Sequence, residues 1–285
     1  MSGTDLLHKV VFMLVAVSVV IGVQKVVDIT HSLNEDNPRW PDGREFELNV
    51  ISNGTDSTGG WYAYNDLLFT EHTGTHFDAP CHFAMFPGVY YSSSLPVERL
   101  VQPLSVINLQ AQANYYRDYE ATPNDIITFE KEFGKIPEGG IVIFDFGWSK
   151  YWKSFEAVYG SKSEDVTTFH FPGVGLSAAE LLASRGVYGV GVDTPSVDYG
   201  PSLDFPVHRF LQGQNIFLLE NVGNMSALPK GGDGVTLVVG AMKVDGGTGG
   251  PARLLALFED TSSGNIPECA LLTVTIVCQI IALFV

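Results

Sequence analysis

The chain has 285 residues, 45% hydrophobic and 12% aromatic, which is enough apolar material for a sizeable core and incompatible with global disorder. Its formal net charge of −16 repels phosphate backbones and anionic lipid heads, which argues against nucleic acid as a partner. Three cysteines, two of them (Cys269 and Cys278) in an apolar tail, leave Cys81 without a disulfide framework.

In chain order, residues 10–23 (VVFMLVAVSVVIGV) form an apolar run behind His8 and Lys9. Length and flank suit a signal peptide over 1–23, with a buried strand or an uncleaved anchor as the alternatives. Residues 26–33 (VVDITHSL) read as a first strand and 38–43 (PRWPDG) as a turn or loop. A polar, Gly-rich stretch at 52–60 follows, and 65–69 lead into a His-rich segment. Residues 104–109 suit a short strand, and 123–133 a helix capped by Asn124. The apolar run 141–146 (IVIFDF) is interrupted by Asp145 and ended by Gly147. Residues 177–185 (SAAELLASR) read as an amphipathic helix with a capping box from Ser177 to Glu180, closed by Gly186. Strand 187–192 ends at Asp193, a short helix at 205–211 is stopped by Gly213, strand 215–219 ends at Glu220, and 235–242 is the last strand expected. The Gly-rich stretch 246–250 (GGTGG) lacks the Lys-Ser/Thr of a phosphate-binding loop and reads as a plain loop.

The chain closes on an uncharged run, 269–285, behind Ser262, Ser263 and Gly264. Such a tail over 265–285 suits a GPI-attachment signal, with a retained membrane anchor or a core strand as alternatives. Sequons at Asn53 and Asn224 mark glycosylation acceptors. Together the ends imply a secreted or membrane-tethered domain at 24–264. Strands alternating with helices argue for an α/β fold with some parallel pairing. Continuous apolar runs imply strands covered on both faces. Asp193 and Glu220 sit just past strand ends, where open α/β sheets form ligand crevices.

The chemistry concentrates in 71–83 (EHTGTHFDAPCHF), which holds His72, His76, Asp78 and His82, three of the seven histidines of the chain. All four have even parity and would share one face of a strand. An extended strand would separate His72 from His82 by about 33 Å, whereas metal–ligand bonds span about 2.0–2.2 Å. The chain must therefore bend. Gly74 permits a turn and Pro80 breaks the run again. A helix would also align His72 with His76, but Thr-Gly-Thr and the nearby proline oppose one. Two imidazoles and a carboxylate with an open position suit a catalytic rather than a closed structural metal site. The alternative is histidines that cap turns by bonding backbone carbonyls. Cys81 has odd parity and reads as buried packing. On residues alone His208 and Glu220 are weak candidates, against a surface histidine and a strand-end charge. No G-x-S-x-G elbow is present.

The stretch HTGTHFDAPCH resembles the H-x-G-T-H-x-D-x-P-x-H signature of the cyclase-like metal-dependent hydrolases, a family that includes kynurenine formamidase and isatin hydrolase. The similarity continues through 147–152, 171–173, 186–198 and 208–224, and spans roughly 28–251. The resemblance implies a single mixed α/β domain of the swivelling β/β/α type with a curled sheet, in a homodimer. It implies that His72, His76 and Asp78 bind a first divalent metal, with Asp78 bridging to a second held by His208 and Glu220. His82 would be the catalytic acid/base. Zinc, manganese or iron suits these donors. The expected activity is that of an arylformamidase, converting N-formyl-L-kynurenine to L-kynurenine and formate in tryptophan catabolism. Alternatives are a ring-opening hydrolase of a cyclic amide or lactone and a non-catalytic metal-binding ectodomain. An aromatic small-molecule substrate needs a wall, for which Trp40, in its polar loop, is the foremost candidate beside Trp61, Phe86, Trp148 and Trp152.

Overall fold

In the computed structural model, which describes residues 24–259, the continuous apolar runs become the buried centre of one sheet. The strands are β1 (Gln24–Asp28), β2 (Glu47–Thr55), β3 (Trp61–Leu68), β4 (His76–Asp78), β5 (Val101–Asn108), β6 (Glu120–Ala121), β7 (Ile141–Asp145), β8 (Gly173–Val174), β9 (Gly189–Val192), β10 (Phe217–Glu220), β11 (Thr236–Ala241) and β12 (Gly249–Glu259). The α-helices are α1 (Gln110–Tyr115), α2 (Pro123–Phe133), α3 (Phe155–Tyr159), α4 (Leu176–Ser184) and α5 (Pro206–Gly213). The sheet order is β1-β12-β11-β5-β7-β9-β10-β4, and β4 pairs again with β12, so seven of the eight strands close into a ring. Strands β5, β7, β9 and β10 run parallel, while β4, β11 and β12 pair antiparallel. The result is a mixed α/β domain with a closed, barrel-like sheet. The expected signal peptide and the 265–285 tail lie outside the described residues.

Alternation decides which side of the ring each residue fills. Ile141 and Ile143 of β7, with Phe217 and Leu219 of β10, join Phe77 and Leu254 in one core. Val142 and Phe144, with Leu218, point the other way and pack under Ala178 and Leu182 of α4 and Leu211 of α5. Both faces are covered, and this is why the strands read as unbroken apolar runs rather than alternating ones.

Several boundaries differ from the sequence expectations. Helix α2 spans 123–133 as read, but its cap is Thr122 and not Asn124. Pro123 lacks an N–H and takes the first helical position, so the preceding residue must cap. The Thr122 hydroxyl accepts from the Asp125 N–H, and the Asp125 carboxylate accepts from the Thr122 N–H. Helix α4 begins at Leu176 behind Gly175, so Ser177 lies inside the first turn and caps nothing. Gly175 bonds the Ala121 carbonyl at 3.0 Å, and a Cβ there would sit 2.8 Å from that oxygen, so backbone contact with β6 sets the helix start. Gly186 does close the helix, at φ 73°. The first strand ends at Asp28, five residues short of the expected 33.

Strand 235–242 is not the last, because β12 follows it and absorbs Gly249 and Gly250 of the expected loop. The β2–β3 hairpin was not foreseen: every residue of β3 is exposed, so no burial pattern marks it in the sequence.

Phe144 is fully buried between sheet and helices, whereas Tyr115 is 94% exposed. Phe144→Ala should lower the unfolding free energy by about 3–5 kcal/mol in urea titration, and Tyr115→Ala should change it by less than about 0.5 kcal/mol.

Candidate metal centre

The site grows from the three residues of β4. His76 and Asp78 are two apart and point to the same side, while Phe77 enters the core on the other. Antiparallel pairing with β10 sets Glu220 opposite His76, and the His76 Nε2 atom lies 3.4 Å from Glu220 Oε2 and 3.2 Å from Asp78 Oδ1. His72 returns to this point through a turn at Gly74, whose φ is 68° and where a Cβ would strike the Leu33 side chain at 2.2 Å. His72 Nδ1 then lies 2.7 Å from Asp78 Oδ1. Pro80 opens a short 3-10 turn that carries His82 back over the cluster, where its ring stacks on His72 at 3.9 Å. The turn is held by Gln212 of α5, whose side-chain oxygen accepts the Phe83 N–H at 2.8 Å.

His208 comes from the first turn of α5. Asp198 accepts the N–H groups of Val207 and His208 at 2.9 and 3.1 Å, and lies 2.7 Å from His208 Nδ1. A carboxylate at a helix N-terminus is favoured by the backbone dipoles, and here it also turns the His208 Nε2 atom inward, 3.1 Å from Glu220 Oε1. His76 is oriented the same way. Its Nδ1 donates to the Gly74 carbonyl at 2.9 Å, which leaves Nε2 facing the carboxylates.

Electrostatics explain what this cluster requires. Asp78 and Glu220 are both buried, which by itself would raise their pKa values. The adjacent imidazoles outweigh burial and hold both below the usual carboxylate range. Burial would lower His76, but Asp78 and then Glu220 lift it to about 10; His208 is raised by the same balance. His82 is pulled down to about 4 by burial, only partly offset by Asp78. The two carboxylates are thus stable only with positive charge between them. Asp78 Oδ2 is buried and has no hydrogen-bond partner among the described residues. His72, Asp78 and His82 bring ligand atoms within 4.8 Å of one another, and so do His76, Asp78 and Glu220. Imidazole and carboxylate donors converging on an unsatisfied oxygen fit a divalent cation.

All six polar residues expected at a site therefore meet in one place. Five of them, all but Asp78, line a cleft of about 380 Å³ together with Trp40, Phe83, Tyr159 and Phe205. The other aromatic candidates do not. Trp148 and Trp152 are buried, Trp61 is 71% exposed on the hairpin, and Phe86 packs on the inner core. Asp193 is not at the cleft either. Its carboxylate accepts the N–H groups of Phe146, Trp148 and Ser149 and anchors that loop, with burial, then Asp145, raising it to about 7. Cys81 is buried with its Sγ toward the Gly247 carbonyl. Asn53 and Asn224 are both exposed.

Two functional positions escaped the sequence reading. Asp198 could have been sought as the missing acceptor for the start of α5. Phe205 holds φ 51°, a left-handed conformation rare for an aromatic residue and worth on the order of 1–3 kcal/mol of strain. That backbone sets its ring against Phe83 at 5.3 Å and His208 at 5.7 Å.

Comparison with known proteins gives a consistent picture. The Cyclase family model matches residues 27–199. The chain is 33% identical over 251 residues to an isatin hydrolase of Roseibium aggregatum, covering 83% of this chain and 92% of the relative. It is 27% identical to a kynurenine formamidase of Salinibacter ruber, over 80% of this chain and 95% of the relative. A solved isatin hydrolase bound to the product analogue thioisatinate superposes with a TM-score of 0.75 at 31% identity, over 83% of this chain and 93% of that one.

Because His76 and His208 are raised, both hold protons at neutral pH in the metal-free protein and must release them to a cation. Zinc binding followed by calorimetry in buffers of different ionisation enthalpy should show net proton release at pH 7, and the apparent affinity should climb with pH toward about 10. A buffer-independent heat would contradict this protonation state.

Proposed function

The chain belongs to the Cyclase family, and on that premise we propose that it is a metal-dependent hydrolase that opens the ring of a compact, neutral, aromatic cyclic amide of the isatin type. The observation that carries the reading is a single cleft in which His72, His76, His82, His208 and Glu220 lie under an aromatic wall. A divalent ion held among His72, His76, Asp78, His208 and Glu220 would polarise the amide carbonyl and let water attack at neutral pH. His82 is neutral at pH 7 and stacked over the cluster, placed to take a proton from the attacking water and return it to the departing nitrogen. The C–N bond breaks as the new C–O bond persists, giving a ring-opened carboxylate and an amine. Trp40, Phe83 and Phe205 offer faces and edges to the substrate ring.

Charge favours a neutral substrate. Arg39 is the only lysine or arginine among the described residues lining the cleft. Its guanidinium is already engaged by the Trp40 and Pro41 carbonyls at 3.4 and 3.0 Å and by Glu45 and Glu164. An amino-acid carboxylate such as that of N-formylkynurenine would find no free cation there, and a cyclic amide needs none. The second reading, arylformamidase, draws support from the 27% identical relative and from Asp42, which lines the cleft and could pair a substrate ammonium. The apolar ends at 10–23 and 269–285, with the exposed sequon asparagines 53 and 224, support an exported, glycosylated and membrane-tethered enzyme.

Purified protein should hydrolyse isatin faster than N-formylkynurenine, lose activity to a chelator and regain it with zinc or manganese. His82→Ala should reduce the rate by about 10²–10⁴-fold while the metal stays bound; His76→Ala should lose the metal by elemental analysis. Faster turnover of N-formylkynurenine would select the second reading. Chelator-resistant activity, or an unimpaired His82→Ala, would defeat the mechanism.

A further inference from the structure

The stretch 246–250, which reads in the sequence as a plain loop, lies against the metal centre. Thr248 is flanked by two glycines that only a missing side chain allows. A Cβ on Gly247 would sit 2.9 Å from Glu71 Oε1 and 2.7 Å from Ser92 Oγ; one on Gly249 would sit 2.5 Å from the Phe77 carbonyl and 2.7 Å from the His72 ring. The Thr248 carbonyl accepts the Ala79 N–H at 2.8 Å, which ties this backbone to the end of β4. Two close approaches and one hydrogen bond thus press the Thr248 hydroxyl between Glu71 and His72.

The hydroxyl has a single proton to give. Thr248 Oγ1 lies 2.5 Å from Glu71 Oε2 and 3.2 Å from His72 Nε2. The short contact is to a carboxylate oxygen, which accepts, so the proton goes to Glu71. The remaining lone pair faces the His72 ring and can only accept its Nε2–H. The Glu71 carboxylate is fixed in turn by the Thr248 N–H, at 3.2 and 3.3 Å to its two oxygens. The Nδ1 atom then faces Asp78 Oδ1, 2.7 Å away, and is the ring atom left to meet a cation there.

We infer that Thr248, held by Glu71, is a positioning residue that fixes the tautomer and ring orientation of His72 and presents its Nδ1 atom to the divalent cation. The arrangement is the counterpart of the Gly74 carbonyl on His76 and Asp198 on His208, so His72, His76 and His208 are each oriented from the outer nitrogen. This rests on the reading of the cluster as a metal centre, and the experiment separates the two.

Zinc affinity is measured on the full chain by chelator competition, and the His72 ring N–H is followed by ¹⁵N-edited NMR in the zinc-loaded protein. Thr248→Val keeps the shape and removes the hydroxyl; Thr248→Ser keeps the hydroxyl and removes the methyl. Thr248→Val should weaken zinc binding by about 10–100-fold and lose the Nε2–H signal, and Thr248→Ser should restore both. If Thr248→Val does not fold, Glu71→Gln reads the same coupling, with weaker zinc binding and faster exchange of the ring proton. A Thr248→Val protein with wild-type zinc affinity and an intact Nε2–H overturns the proposal. So does a loss that Thr248→Ser shares, since the methyl would then be responsible. A wild-type protein that takes up no zinc is visible before any substitution and removes the metal centre itself, and this proposal with it.

Discussion

The structure turns on how a three-residue strand closes the sheet. β4 pairs with β10 on one side and with β12 on the other, and that double pairing converts an open sheet into a ring. The same pairing fixes the register of His76 opposite Glu220 and places Asp78 across from Gly249. A slip of one residue would turn Phe77 out of the core and His76 and Asp78 into it. Burial of Phe77, which is 1% exposed, therefore enforces the geometry of the polar cluster on the opposite face. Fold closure and site geometry rest on the same strand pairing.

Charge supplies the second constraint. Two buried carboxylates in a chain of net charge −16 are tolerated only beside compensating positive charge. In the metal-free protein the imidazoles of His76 and His208 provide it by holding protons. Burial and the outer hydrogen bonds that these rings donate to the Gly74 carbonyl and the Asp198 carboxylate keep them facing Asp78 and Glu220. The cluster is built to exchange protons for a cation. The strained Phe205 backbone and the Trp40 loop roof this charged floor with aromatic surface. A polar floor under an aromatic wall suits a small, largely apolar ligand.

Much of this was legible in the sequence where the signal is local. The spacing of His72, His76, Asp78 and His82 demanded bends, and Gly74 and Pro80 make them. The buried strands at 141, 189 and 217 announced themselves by apolar runs covered on both faces. What the sequence withheld depends on distant contacts. The glycines of β12 look like loop punctuation, yet Gly249 is small because the Phe77 carbonyl and the His72 ring press on it. Asn124 and Ser177 were attractive caps by residue type, and lost to a proline at the first helical position and to backbone contact at Gly175. No residue of the β2–β3 hairpin is fully buried, so burial leaves no pattern in it. Glu220 is the last residue of β10 and level with Val192, whereas Asp193 lies one residue past the end of β9, so alternation turns the two carboxylates to opposite sides, one into the cleft and the other onto backbone.

Anomalous diffraction from crystals grown with zinc tests the central claim most directly. The account predicts a peak enclosed by β4, within about 2.0–2.2 Å of a His76 nitrogen and an Asp78 oxygen, with Glu220 or His72 completing the contacts. Crystals in which the imidazoles bond directly to the carboxylates, and the only anomalous signal lies on the surface, would contradict it.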